Sequence, residues 1–388
     1  MKILVTGAKG FIGQNLVAAI KRQDDAELLE FDLGHPETVL DEGLAQADVI
    51  FHLAGVNRPE NPEDYAAGNA GFTQRICERL ALLGRKPAII FSSSIQAALD
   101  NPYGVSKRRA EEALLKYAGQ SGAPVSIFRM KNVFGKWCRP DYNSVVATFC
   151  HRIARDLPIT ISDPEQNIDL VYIDDAIEAM IGEVQSPKPE KPYLGVEPSY
   201  RITLGGLAGT LRGFRAGRES LVLPDMSDPF IHKLYATYIS YLPKDAFDYA
   251  LTQRADARGE LAELLKSPSI GQIFVSRTRP GITRGHHYHD TKIEKFVVLE
   301  GDAAIRFRDV RHENAVSGLE PEAQNPAAAA QGSELLEYRV SGKEFRVVDI
   351  PPGYTHAIEN VGKSDLIVLF WANQVFDPEK PDTFAEIV

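Results

Sequence analysis

The chain has 388 residues, carries a formal net charge of −10 and is 44% apolar, which suits two domains that each bury a core. The negative charge argues against nucleic acid or an anionic membrane as a partner, because phosphate-rich partners bind clustered lysine and arginine. Three widely spaced cysteines and the lack of an apolar run of about 18 residues favour a soluble, cytoplasmic protein with reduced thiols.

Short apolar runs alternate with amphipathic segments through the first half of the chain. The runs have the length of buried parallel strands, and the segments between them repeat apolar residues at helical spacing. This alternation predicts an α/β fold with a Rossmann-like, doubly wound parallel sheet in a first domain of residues 1–243. The predicted strands cover residues 3–5, 26–31, 49–53, 88–91 and 125–129, and the predicted helices cover residues 12–21, 72–83 and 103–117.

The second half of the chain has a different texture, with short β-rich runs separated by turn residues. Such a pattern is typical of an antiparallel barrel, so we predict an all-β domain of residues 244–388. We expect the connecting segment 221–244 to pack on one domain and the polar, alanine-rich stretch 310–336 to form a surface loop. The predicted strands cover residues 272–277, 294–299, 303–307, 345–348 and 366–371.

A glycine motif follows the first predicted strand and begins the first predicted helix. Its spacing is G-x-x-G-x-x-G, formed by Gly7, Gly10 and Gly13, with Phe11 and Ile12 at the helix start. Gly7 permits a tight turn, Gly10 lets a pyrophosphate approach the backbone, and Gly13 lets the helix lie close to the sheet. Because backbone N–H groups at a helix N-terminus favour anions, the motif predicts a dinucleotide site.

Residues at two later strand ends extend the predicted cofactor site. Asp32 follows the second strand and either contacts the adenosine or caps a turn. Leu53 and Ala54 end the third strand, in a segment whose small residues let the cofactor lie against the backbone. Lys9 and Arg58 are candidate partners of a 2′-phosphate, which favours NADPH, although both are also ordinary surface cations.

A Y-x-x-x-K pair, Tyr103 and Lys107, lies on a predicted helix. Residues four apart share a helix face, so the ammonium of Lys107 is expected to lower the pKa of the Tyr103 phenol and activate it for proton transfer. Ser94, with Ser93 as the alternative, follows the preceding strand and is placed to hydrogen-bond the same carbonyl oxygen. The three residues Ser94, Tyr103 and Lys107 therefore form a predicted carbonyl-reducing set.

A histidine-rich segment in the second half predicts a metal site. His287 and His289 project to the same side of a strand, whereas His286 faces the other way. Glu294 and His356 are expected on adjacent strands. Three imidazoles and one carboxylate suit zinc or another divalent transition ion.

Both halves resemble known families. The glycine motif, the Tyr103–Lys107 pair and the segment 129–135 resemble extended short-chain dehydrogenases/reductases acting on nucleotide sugars, and this resemblance implies that Asn132 binds substrate. The interval between Ser94 and Tyr103 is shorter than is typical of that family. The metal motif resembles the cupin signature, G-x5-H-x-H-x4-E-x6-G and P-x-G-x2-H-x3-N, although Phe345 replaces the leading glycine of the second part.

The combination resembles the CapF-type bifunctional enzymes of capsular-polysaccharide biosynthesis. That resemblance implies C3 epimerisation of a UDP-2-acetamido-2,6-dideoxy-4-keto-hexose by the cupin. It further implies reduction at C4 with NADPH, giving UDP-2-acetamido-2,6-dideoxy-L-talose, a precursor of UDP-N-acetyl-L-fucosamine for capsule or O-antigen. A homodimer is expected, because cupins often self-associate. No general base for the cupin step is assigned, since Lys292, Lys295 and Tyr288 are more often structural.

Three alternatives stay open on the sequence. The cupin could serve only dimerisation or sugar binding beside a 4-reductase. The first half could be a 4-epimerase or 4,6-dehydratase that retains tightly bound NAD. A nucleotide-sensing interaction protein is the third, and the intact set of Ser94, Tyr103 and Lys107 argues against it.

Overall fold

The computed structural model describes residues 1–23, 26–185, 192–310 and 335–388. The chain divides into two compact units, Met1–Arg215 with Pro229–Asp245, and Ala216–Asp228 with Ala246–Val388. The connecting segment 221–244, expected on one domain, is thus shared between the two units. Residues 311–334 of the predicted loop lie outside the described residues.

The first unit contains nine strands and nearly all of the helical residues that the structure describes. The strands are β1 (Lys2–Thr6), β2 (Glu27–Phe31), β3 (Val49–His52), β4 (Ala88–Ser94), β5 (Val125–Met130), β6 (Asn132–Phe134), β7 (Asn167–Tyr172), β8 (Tyr193–Leu194) and β9 (Ser199–Thr203). The helices are α1 (Phe11–Ile20), α2 (Glu37–Gln46), α3 (Glu63–Tyr65), α4 (Phe72–Leu82), α5 (Pro102–Ser121), α6 (Val145–Ile153), α7 (Ile173–Gln185), α8 (Leu204–Ser220) and α9 (Pro229–Ser240). None of these described helices has the length and apolar character needed to cross a membrane.

Six strands form a parallel sheet in the order β2-β1-β3-β4-β5-β8. Alternate residues of each strand enter different cores, because successive side chains point to opposite faces. Ile3 and Val5 pack with α1 and α7, whereas Leu4 packs with α2, α4 and α5. The doubly wound, Rossmann-like sheet predicted from the sequence is confirmed.

A smaller layer follows the main sheet. Strands β6, β7 and β9 form a three-stranded sheet, and α6, α8 and α9 pack beside it around Phe134, Phe149, Leu211 and Tyr238. The strand–helix alternation fades near residue 204 in the sequence, yet α8 is a helix of 17 residues. Its five glycines obscure the helical pattern in the sequence.

The second unit is built from two antiparallel sheets. One sheet has the order β10-β11-β12-β19-β14-β17 and the other β16-β15-β18-β13-β20, with Phe296, Ile305, Ile358 and Phe370 in the core. This arrangement confirms the all-β second part of the predicted fold class. The strands are β10 (Gln253–Asp256), β11 (Gly259–Ser267), β12 (Gly271–Thr278), β13 (Thr283–Tyr288), β14 (Glu294–Glu300), β15 (Asp302–Asp309), β16 (Leu336–Ser341), β17 (Val347–Ile350), β18 (Tyr354–Asn360), β19 (Leu366–Ala372) and β20 (Phe384–Ala385).

Candidate active site and metal centre

The glycine motif forms the turn between β1 and α1. Gly7 has φ +74°, and a Cβ there would lie 2.6 Å from the backbone nitrogen of Ala54 and 2.9 Å from the carbonyl carbon of Leu53. A Cβ on Gly13 would lie 2.0 Å from the carbonyl oxygen of Gly7. Gly10 precedes the first turn of α1 and offers no side chain to cap it. Glycine is therefore required by close backbone packing at Gly7 and Gly13.

The start of α1 presents backbone donors to this turn. The helix begins with Phe11 and Ile12, and its first turn contains no acidic side chain. The N–H groups of a first helical turn point out of the helix and favour an anion. The motif thus has the local geometry expected of a pyrophosphate site.

Asp32 holds the glycine turn against the end of β2. Its Oδ2 accepts a hydrogen bond of 2.5 Å from the backbone N–H of Lys9, and its Oδ1 accepts one of 2.7 Å from Leu33. The turn-capping role of Asp32 is therefore observed. A contact to adenosine stays a prediction.

The predicted reducing set lies where β4 ends and α5 begins. The Ser94 hydroxyl is placed to lower the pKa of the Tyr103 phenol by hydrogen bonding to it. Ser93 is buried and donates a 2.5 Å hydrogen bond to Glu111. The geometry thus favours Ser94 over Ser93 as the hydroxyl beside the phenol. Lys107 is buried and donates a 2.7 Å hydrogen bond to the carbonyl oxygen of Ser92.

Burial controls the protonation of the pair. It raises the pKa of Tyr103 to about 12, while the hydrogen bond with Ser94 opposes the rise. Burial also lowers the pKa of Lys107 to about 8, against the attraction of Glu111. The expectation that Lys107 lowers the pKa of Tyr103 is therefore not met in this structure, because desolvation disfavours both charged forms.

A chain of hydrogen bonds that the sequence did not predict joins β1, the end of β3 and α4. His52 is buried, and desolvation lowers its pKa to about 3, so its ring is neutral. Thr73 donates to the carbonyl of Asn69 and accepts from Nε2 of His52, while Nδ1 of His52 accepts from Thr6. The available signal was a histidine that ends a buried apolar strand.

Asn69 joins the end of β3 to the helix that holds Tyr103. It lies in a π-helical segment, Ala66–Gly71, which joins α3 to α4. Its amide exchanges two hydrogen bonds with the backbone of Val56 and donates one of 2.9 Å to Ser106, whose hydroxyl donates to the carbonyl of Tyr103. No residue spacing signalled this role, because a π-helical segment breaks the helical period.

A cavity of about 840 Å³ opens beside Tyr103, a volume within the range of small-molecule sites. Its lining includes Tyr65, whose ring centroid lies 5.8 Å from that of Tyr103. Arg58, a candidate partner of a 2′-phosphate, also lines the cavity and donates to the carbonyl of Tyr142. Asn132 is exposed, donates to the carbonyl of Asp169 at 3.3 Å, and is not among the described residues that line this cavity.

The four predicted metal ligands come together in the second unit. One ligand atom from each of His287, His289, Glu294 and His356 lies within 4.8 Å of the others. Oε2 of Glu294 lies 3.5 Å from Nε2 of His289 and 3.6 Å from Nε2 of His356. Both Nε2 atoms are buried without a hydrogen-bond partner among the described residues. Orphaned imidazole nitrogens that converge with a carboxylate fit a divalent cation.

The electrostatics of the cluster also suit a cation. Burial lowers the pKa of His287 to about 4, and the neighbouring imidazoles add to this effect. Burial favours protonation of Glu294, but its interactions with His289 and His356 outweigh burial and lower its pKa to about 2. A neutral imidazole and an ionised carboxylate are the forms that bind metal.

A β-bulge sets the direction of the first two ligands. The register of β13 against β18 shifts between Gly285 and His287, and the extra residue, His286, has φ +60°. His286 contacts the C-terminal segment and is not in the metal cluster. Nδ1 of His289 lies 2.6 Å from the carbonyl oxygen of Asp382, which orients its Nε2 towards the cluster.

The residues considered as a base for the second unit are engaged elsewhere. Lys292 is buried and donates to the carbonyl of Pro381. Lys295 pairs with Asp349, and Tyr288 stacks on Phe384.

Comparisons with known proteins cover both units. Residues 3–193 match the NAD dependent epimerase/dehydratase family, and residues 254–330 and 322–384 match the polysaccharide biosynthesis C-terminal domain. The chain is 43% identical over 385 residues to a UDP-2-acetamido-2,6-beta-L-arabino-hexul-4-ose reductase of Pseudomonas aeruginosa, covering 99% of this chain and 98% of that protein.

Solved structures extend the likeness to the whole fold. The capsular polysaccharide assembling protein CapF from Staphylococcus aureus matches with a TM-score of 0.88 and 41% identity over 100% of both chains. A UDP-glucuronic acid 4-epimerase from Bacillus cereus shares the fold alone, with a TM-score of 0.50 and 22% identity over 55% of this chain and 83% of that chain. The chain therefore belongs to the CapF family of capsular-polysaccharide proteins, in which an NAD-dependent epimerase/dehydratase region is joined to a polysaccharide biosynthesis C-terminal domain.

Proposed function

We propose that the chain is a bifunctional sugar-nucleotide enzyme. The second unit epimerises C3 of a UDP-2-acetamido-2,6-dideoxy-4-keto-hexose. The first unit then reduces C4 with NADPH and forms UDP-2-acetamido-2,6-dideoxy-L-talose for UDP-N-acetyl-L-fucosamine and capsule or O-antigen synthesis. The observation that carries the reductase half is the position of Tyr103 in the wall of the cavity, with Ser94 acting on the pKa of its phenol. The full-length likeness to a hexul-4-ose reductase supports the same activity.

The residues of the first unit suit proton delivery to a developing alkoxide. The glycine turn, Asp32, Leu53 and Ala54 would hold the nicotinamide dinucleotide, which would supply the hydride for C4. Because burial raises the pKa of Tyr103 to about 12, its phenol keeps its proton at neutral pH and can donate it to the C4 oxygen. Ser94 hydrogen-bonds the same oxygen, and the ammonium of Lys107 stabilises the phenolate that remains.

NADPH is the cofactor that we propose. Lys9 lies in the glycine turn, and its backbone N–H binds the carboxylate of Asp32, so its side chain starts beside the end of β2. A cation at that position suits a 2′-phosphate. We do not assign Arg58 to the 2′-phosphate, because it lines the cavity beside Tyr103.

A desalting experiment tests whether the cofactor exchanges. Loss of the cofactor on desalting would indicate exchangeable NADPH, whereas retention would indicate the tightly bound NAD of an epimerase or dehydratase.

The second unit suits proton exchange beside a ketone. His287, His289, Glu294 and His356 would hold a divalent ion, which we propose is zinc, and such an ion supplies Lewis-acid stabilisation of an enolate oxygen. The C3 hydrogen is acidic only while C4 is a ketone, so epimerisation must precede reduction. We expect a homodimer, because cupins often self-associate, and a cytoplasmic location, because the three cysteines fit a reducing compartment.

Product analysis by NMR in D₂O tests both halves. The protein is incubated with a UDP-4-keto-6-deoxy amino sugar, with and without NADPH. We expect deuterium at C3 without NADPH and the talo product with it. His356→Ala should abolish the exchange, whereas the matched control His286→Ala should retain it, because His286 is outside the cluster. Absent exchange in the intact protein would refute the epimerase half, and NADPH that is not oxidised would refute the reductase half.

A further inference from the structure

The cavity beside Tyr103 is electropositive in a chain whose net charge is −10. Its charged lining residues are Arg58, Asp141 and Arg152. Since Asp141 is paired with Arg152, one guanidinium charge remains without an acidic partner among the described residues that line the cavity. Apart from Pro102 and Val145, the rest of the lining is polar or aromatic. This balance attracts an anion to the wall that faces Tyr103.

One face of α6 supplies part of this wall. Ser144 caps the helix, and Thr148 and Arg152 follow at intervals of four residues, so all three lie on one side and line the cavity. The helix therefore turns its N-terminal end, which carries partial positive charge, towards the same space as the guanidinium.

The guanidinium of Arg152 is fixed on two sides. Its Nε donates to Oδ1 of Asp141 at 2.7 Å, and its Nη1 donates to the carbonyl of Pro158 at 3.1 Å. Asp141 is itself held by a 3.0 Å hydrogen bond from its N–H to the hydroxyl of Thr148. Among the described hydrogen bonds none uses Nη2 of Arg152. A planar group held this way presents its remaining donors in a set direction.

We propose that Arg152, with Arg58, binds the diphosphate of the nucleotide sugar. The geometry would leave the sugar to extend towards Tyr103, which lines the same cavity. A guanidinium suits this ligand because its parallel N–H groups match two phosphate oxygens. The inference rests on the proposed function and adds the residues that recognise its substrate class.

The test is calorimetric binding of UDP to the full chain with saturating NADPH. We expect Arg152→Met to weaken UDP binding by about 10- to 100-fold, the range for hydrogen bonds to a charged group. Arg201→Met is the matched control, because Arg201 is also paired with an aspartate but lies outside the cavity lining. It should leave UDP affinity unchanged, and both variants should bind NADPH as the parent protein does.

The outcomes separate the two claims. Equal UDP affinity in Arg152→Met and the parent protein overturns the role of Arg152 and leaves the proposed function standing. A parent protein that does not bind UDP overturns both. If Arg152→Met loses NADPH affinity, Arg152→Lys is the deciding variant. It keeps the positive charge but loses the parallel N–H groups of the guanidinium, so UDP affinity equal to that of the parent protein refutes the proposal.

Discussion

Lys107 shows how far one residue departs from what its spacing predicts. The Y-x-x-x-K interval places it one helical turn from Tyr103, and that much follows from helix geometry. Its solvation does not follow from spacing. Burial disfavours its charged form, and Glu111 opposes this effect. Its ammonium donates to the carbonyl of Ser92 and lies 4.5 Å from the centroid of the Phe91 ring. The result is an ammonium whose pKa is lowered to about 8.

The pH dependence of stability should reveal this buried ammonium. Below pH 8 both the folded and the unfolded chain carry the proton. Between about 8 and the ordinary value of 10.5 the unfolded chain binds more protons, so the parent protein gains stability as pH rises. We expect the parent to gain on the order of 3 kcal/mol relative to Lys107→Met across this window. Melting curves of both proteins from pH 7 to 10 measure the difference.

An exposed lysine of the same helix provides the control. Lys116→Met removes a surface ammonium of α5, so its melting temperature should follow that of the parent at every pH. A difference between Lys107→Met and the parent that stays constant from pH 7 to 10 would contradict the buried-charge interpretation.

At the level of elements, α1 packs closely against the turn after β1 because Gly13 has no side chain. Gly13→Ala would place a methyl group 2.0 Å from the carbonyl oxygen of Gly7 and 2.9 Å from the backbone of Ala8. Backbone atoms cannot move aside cheaply, so we expect a loss of more than about 3 kcal/mol and weaker NADPH binding. Melting temperature and NADPH affinity measure the two effects.

Gly119→Ala is the matched control, and its expected effect on stability has the opposite sign. Gly119 lies in α5, and a Cβ there would meet no atom within 4 Å. Alanine in an open helical position stabilises by about 0.5–1 kcal/mol relative to glycine. If Gly13→Ala behaved like Gly119→Ala, close packing would not be the reason for the glycine.

Elements with a clear hydrophobic period were predictable, and those that break it were not. The buried apolar runs at β1, β3, β4 and β5 predicted the parallel sheet, because strands that are covered on both faces are continuously apolar. The π-helical segment around Asn69 and the bulge at His286 left no such signal. The spacing of the motif nonetheless predicted all four metal ligands. The expectation of adjacent strands is met by His356, whose strand β18 pairs with β13, but not by Glu294, because β14 lies in the other sheet.

For the whole molecule, each set of functional residues is contained in one unit. Ser94, Tyr103 and Lys107 lie in the first unit, and the four metal ligands lie in the second. The change from α/β to β-rich texture made a two-part chain predictable. The path of the chain was not, because residues 216–228 belong to the second unit although they precede α9 of the first. Contacts distant in sequence decide that assignment.

This separation predicts that two variants, each unable to form the talo product alone, form it when they are mixed. Tyr103→Phe lacks the proposed proton donor but keeps the metal cluster, so it should still exchange deuterium at C3. His356→Ala keeps the reducing set and NADPH binding. When the two are mixed with the 4-keto sugar nucleotide and NADPH, the ketone epimerised by the first should diffuse to the second and be reduced there. NMR should then detect the talo product in the mixture and only traces with either variant alone. If the mixture forms no talo product although each variant retains its own partial activity, the intermediate does not pass between chains.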